Sequence, residues 1–182
     1  MARFPTLTVR SGRTPLRLAV AALLGVAVAL GIGCIYVRSG VPSRTAAGRI
    51  TAGAVQNGVK VTVVVSGSTV SATYRPLRPG FHLYSINLPV GGVDGLGTPT
   101  RLGVRGGLRA TRPPTSDMPG QLLKLPRLGV ILPVYPDGPV TITLPVTHTE
   151  SSSAQVVVSY GACSTSTCLV PVTDLVIPIQ LD

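Results

Sequence analysis

The chain has 182 residues, 45% of them apolar, with 21 Gly, 17 Pro and a formal net charge of +10. The apolar share excludes a disordered chain, the absence of a G-X-Y period excludes a collagen-like one, and the length allows one domain plus a targeting segment. The charge does not mark a nucleic-acid binder: Arg3, Arg10, Arg13, Arg17, Arg38 and Arg44 meet no acid within residues 1–47, so most of the excess flanks a hydrophobic segment, where basic residues set topology and meet anionic headgroups.

Residues 1–17 form a short basic tail, expected to stay in the cytoplasm. Leu18 to Val37 follows, twenty residues without a charge between Arg17 and Arg38. At helical rise that length spans about 30 Å, the thickness of a bilayer core. It is longer than the apolar region of a secretory signal, and the nearest small-residue site, Thr45-Ala46-Ala47, lies well beyond it. The segment 18–37 therefore reads as a retained single-pass transmembrane anchor. A cleaved signal and lipidation at Cys34 are the alternatives. The body is then expected on the far side of the membrane, periplasmic or at the cell surface.

Residues 38–48 are polar, carry Gly and Pro, and read as a linker. From 49 to 182 the pattern is β throughout. Val59–Val63 and Val140–Leu144 alternate with period two, as does Leu175–Ile179 in part. Thr69–Tyr74, Gly80–Leu88, Leu128–Tyr135 and Ala154–Tyr160 are further β-rich runs. Turn signals separate them at Asn57-Gly58, Arg78-Pro79-Gly80, Gly91–Gly97 and Pro136–Pro139. Pro recurs too often for a capped helix. About eight short strands in about 135 residues predict an all-β, immunoglobulin-like antiparallel sandwich, with 89–127 as long loops and edge strands.

Few residues offer chemistry. His82 and His148 stand in no metal-ligand spacing, and no GxSxG nucleophile motif is present. Gly91–Gly97 lacks the Lys of a phosphate loop and reads as a turn. Arg101, Arg105, Arg109 and Arg112 lack the interleaved aromatics that stack on nucleic acid, so they read as a solvated face. Cys163 and Cys168 remain, separated by Ser164–Thr167. Outside the cytosol such a pair can close a disulfide. By loop entropy a bridge over so few residues adds only about 2 kcal/mol, a modest staple but an accessible exchange site. The residues alone leave structural and redox-active roles open. Zinc would need two further ligands, and no metal or cofactor is expected.

The stretch Val156–Leu181 resembles the cysteine-bearing end of the N-terminal domain of DsbD-type thiol:disulfide interchange proteins. Tyr160, Cys163, Cys168 and Pro171 occupy that family's Tyr, cysteine and Pro positions. Gly80-Phe81-His82-Leu83-Tyr84 resembles its Gly-Trp-His-x-Tyr strand, with Phe81 in place of Trp, and Gly97-Thr98-Pro99-Thr100 its Gly-x-Pro-Thr turn. Val170 stands where a second Pro is common. The resemblance implies a periplasmic immunoglobulin-like domain whose cysteines shuttle electrons without a cofactor. Cys168 would form the mixed disulfide with a thioredoxin-like partner, and Cys163 would resolve it. The chain lacks the multi-helix and thioredoxin-like domains of full-length members, so exchange is expected with separate proteins. The alternative from another class is a non-catalytic cell-envelope interaction or assembly module with a structural Cys163–Cys168 bridge. His82 and Tyr84 could lie beside the pair and tune it.

Overall fold

The computed structural model describes residues 38–45 and 48–181. The expected basic tail 1–17 and anchor 18–37, with Cys34, lie outside the described residues. Among the described residues there is no helix long and apolar enough to cross a membrane, and the fold is all-β.

In chain order the strands are β1 (Arg38–Thr45), β2 (Arg49–Gln56), β3 (Val59–Ser66), β4 (Thr69–Pro76), β5 (His82–Leu83), β6 (Arg101–Gly106) and β7 (Leu108–Ala110). They continue with β8 (Thr115–Ser116), β9 (Gln121–Leu125), β10 (Val130–Val134), β11 (Val140–His148), β12 (Ser153–Tyr160), β13 (Ala162–Cys163) and β14 (Val172–Gln180). One sheet runs β1-β2-β3-β4-β11-β7, with β8 also pairing β11; a second runs β14-β12-β6. The short β13–β5 ladder extends the second sheet, because β12 continues through Gly161 into β13. A bridge from Tyr84 to Val134 then joins the β10–β9 hairpin to it.

The alternation read from the sequence becomes the core. On β3 Val59, Val61, Val63 and Val65 face inward while Lys60 and Ser66 are exposed. Val140, Ile142, Leu144 and Val146 do the same on β11, and Val156, Val158, Ile177 and Ile179 meet them from β12 and β14. Each such aliphatic side chain, fully buried, contributes about 1.5–3 kcal/mol against exposure. Asn57-Gly58 makes the two-residue turn between β2 and β3 with both φ angles positive (48° and 77°), the condition that favours Asn-Gly in a tight hairpin.

Two expectations need correction. The stretch expected as a linker is in its first part a strand: β1 pairs antiparallel with β2, with a register shift between Gly40 and Ser43. Pro42 falls in that shift. An edge strand needs no apolar stripe and tolerates Pro where the ladder is interrupted, so polar composition concealed it. The run Gly80–Leu88 is also not one long strand; its ladder covers only His82 and Leu83. The backbone then turns, with Leu88 N donating to Ser85 O at 3.1 Å.

Two tyrosines tie the layers at the end nearest Cys163. Tyr74 of β4 donates to Arg101 O of β6 at 2.6 Å, and Tyr160 of β12 donates to Gln56 O of β2 at 2.9 Å. Their rings meet edge to face at 5.8 Å. Burial pushes both hydroxyls up, Tyr160 to about 12, so both remain protonated donors at neutral pH.

Candidate functional site

Cys163 and Cys168 are joined as a disulfide, closing the hairpin that follows β12. The sequence between them folds on itself. Ser164 N donates to Thr167 O at 2.7 Å, and Ser164 Oγ accepts from Thr167 N at 3.1 Å and Ser166 N at 3.3 Å. Short hydroxylic side chains satisfy the turn locally, as Ser and Thr do wherever backbone groups lack ladder partners. The loop behind the pair is held from two sides. Leu169 N donates to Ala162 O at 2.9 Å, and Asn57 Nδ2 donates to Val170 O at 3.1 Å. Leu169 lies so close over Gly58 that a Cβ there would stand 3.1 Å from its Cδ1.

The two sulfurs differ in environment. Cys163 is 5% exposed and packs in a small second core with Tyr84, Leu88, Val130, Leu132 and Val134. Cys168 is exposed. Tyr84 Oη lies 3.2 Å from Cys163 Sγ; a disulfide sulfur carries no proton, so the phenol donates. Burial raises the Tyr84 hydroxyl above its ordinary range, which keeps that donor in place. A cavity of about 220 Å³ beside the bridge is lined by Tyr84, Leu96, Gly97, Thr98, Cys163 and Cys168, among others.

Three motif segments converge here. Gly161 N donates to Thr98 O at 3.0 Å, Tyr84 N to Gly161 O at 3.2 Å, and Thr100 Oγ1 to Tyr84 O at 2.6 Å. Gly97 sits at φ +84°, where a Cβ would meet Leu88 at 2.8 Å and the Tyr84 ring at 2.9 Å. Glycine is required there on both counts. The Gly-Thr-Pro-Thr segment thus sets the position of Tyr84, and Tyr84 contacts the sulfur.

His82 stands directly opposite Cys163 in the β13–β5 ladder. It is buried, with Nδ1 3.5 Å from Asp137 Oδ1 and its ring edge-on to Tyr84 at 6.3 Å. In the sequence Asp137 is only part of a turn; nothing in a Pro-Asp-Gly-Pro string signals a histidine partner. Arg101, Arg105, Arg109 and Arg112 are all exposed, but they do not share one strand: Arg101 and Arg105 lie on β6, Arg109 on β7 in the other sheet. Tyr160 is a core residue away from the sulfurs' small cluster.

Tyr84→Phe tests the hydroxyl with little loss of volume. Hydrogen bonds to a charged group are worth about 1.5–3 kcal/mol, so removing the donor to a departing Cys163 thiolate is expected to slow reduction by dithiothreitol about tenfold or more. Thiol alkylation over time reads the rate. An unchanged rate means the phenol does not act on the leaving sulfur.

No family model matches the chain, and neither does any curated protein or solved structure.

Proposed function

We propose that the protein is a membrane-anchored, extracytoplasmic thiol–disulfide exchange domain of immunoglobulin-like type. It relays reducing equivalents between thioredoxin-like and other exported thiol proteins through Cys163 and Cys168. The observation that carries this reading is the asymmetry of the pair: an exposed Cys168 bonded to a buried Cys163 that already has a hydrogen-bond donor. The converging motif segments and the twenty-residue apolar stretch at 18–37 support the same reading.

The chemistry needs no cofactor. A partner thiolate attacks Cys168 Sγ, a new S–S bond forms to the partner, and the old bond breaks with its electron pair left on Cys163 Sγ. A second partner thiolate then attacks the mixed disulfide at the partner's sulfur. This releases the first partner oxidised and leaves Cys163 and Cys168 as a dithiol. Run backwards, the same steps reduce an exported disulfide.

The test is the reduction potential of the full chain, with Cys34→Ser to remove the third thiol, equilibrated against glutathione or dithiothreitol. The expected value is near or above about −250 mV, with ready reaction with a thioredoxin-like protein. A value well below about −300 mV, with no reaction until the domain unfolds, makes the bridge a structural staple of an envelope interaction module.

A further inference from the structure

We infer, resting on the exchange reading above, that His82 is the proton and charge partner of Cys163: its imidazole pairs with the Cys163 sulfur once the disulfide opens. His82 is 7% exposed, and Nε2 finds no hydrogen-bond partner among the described residues. Buried polar atoms in native proteins are nearly always satisfied, and an exception asks for a reason such as a catalytic state other than the one seen.

Position supplies that reason. Directly opposed residues of an antiparallel ladder place their Cβ atoms about 5 Å apart on one face, and His82 and Cys163 are such a pair. Tyr84, just past the end of that strand, already touches Cys163 Sγ. Phe81 and Leu83 belong to the main core instead. His82 is thus on the sulfur side of the strand, not the packing side. Asp137 approaches its other nitrogen from the turn between β10 and β11, and that turn is tied back by Gly138 N donating to Phe81 O at 3.1 Å.

The step balances without a further reagent. When the Cys163–Cys168 bond breaks, the electron pair stays on Cys163 Sγ, a sulfur removed from water. The imidazole, with Asp137 at Nδ1, takes up at Nε2 the proton that the attacking thiol gave up on ionising, and the imidazolium so formed pairs with the Cys163 thiolate. In the return direction the paired Cys163 thiolate attacks the bond between Cys168 and a bound partner, and Nε2 gives up its proton, which ends on the departing partner thiolate. Among the described residues the titratable groups facing His82 are Asp137 from the turn, Tyr84 two positions on and Cys163 across the ladder. In the disulfide state the sulfur has no charge to share, and Nε2 stands idle.

Two measurements on the full chain, with Cys34→Ser throughout, test this without any protein partner, so they can succeed or fail independently of the relay. The first is the ring ¹⁵N spectrum of His82 in the disulfide and dithiol forms. Reduction is expected to move the Nε2 signal to that of a protonated, hydrogen-bonded nitrogen; an unchanged ring spectrum overturns the inference. The second adds Cys168→Ala, leaving Cys163 as the single thiol, and follows thiolate absorbance against pH with and without His82→Gln. The midpoint is expected to rise by about one pH unit in His82→Gln, about tenfold less thiolate at neutral pH. A midpoint that stays in place overturns it. Should His82→Gln not fold, the ring spectrum decides.

Discussion

Replacing Cys163 with serine is expected to turn Cys168 into a trap. With a thioredoxin-like partner that lacks its own resolving cysteine and is supplied as its mixed disulfide with an aryl thiol, Cys163→Ser should displace that thiol and accumulate a stable mixed disulfide, whereas Cys168→Ser should give almost none. The asymmetry follows from burial. Cys168 is exposed and open to a partner thiolate, while Cys163 is 5% exposed beneath Tyr84, Leu88 and the inner face of the β9–β10 hairpin. A thiolate reaches Cys163 only after local opening, and an opening that costs about 3 kcal/mol slows attack about a hundredfold. Non-reducing electrophoresis and mass spectrometry of the adduct read both variants. Equal yields through either cysteine would falsify the assignment of Cys168 as the exchanging sulfur.

The largest stability effect is expected at Tyr74. Its side chain is fully buried, donates to Arg101 O across the sheets and meets Tyr160 edge to face. Tyr74→Ala removes a large aromatic from a closed core, at a cost of about 3–5 kcal/mol. Tyr74→Phe keeps the ring and strands a single carbonyl, at about 1–2 kcal/mol. Urea midpoints of the two variants should therefore separate clearly, with Tyr74→Phe nearer the parent. Similar losses in both would mean that the hydroxyl, not the packed ring, holds the sheets at this corner. Because Tyr160 leads through Gly161 to Cys163, Tyr74→Ala should also speed alkylation of the reduced Cys163.

The strands that alternate in sequence are those the sequence located best. Val59–Val63 and Val140–Leu144 lie within β3 and β11, since period-two burial leaves a period-two sequence, and the β-rich runs Thr69–Tyr74 and Ala154–Tyr160 lie within β4 and β12. β1 left no such trace because an edge strand need not bury a face. β6 and β9 fall in the segment read as loops and edge strands, and each does lie at the end of its sheet order. At the site, the cysteines were legible as a pair and His82 and Tyr84 as neighbours worth weighing. The resemblance gives the two sulfurs different roles, but their difference in burial is not legible, because it comes from residues far away in the chain: Leu88, Val130, Leu132 and Val134 cover one cysteine and leave the other. Asp137 was invisible for the same reason.

The hold that Asn57 and Gly58 keep on the loop behind Cys168 acts most when the bond is open. A freed Cys168 cannot swing away, so the two thiols keep a high effective concentration with respect to each other. On the exchange reading, ring closure then competes with every visiting partner, and an adduct on Cys168 survives only as long as Cys163 takes to return. A hairpin distant in sequence but packed against this loop thereby sets, on the same reading, the residence time of partners on this site. Loosening it at Asn57 would lengthen each encounter without touching either sulfur.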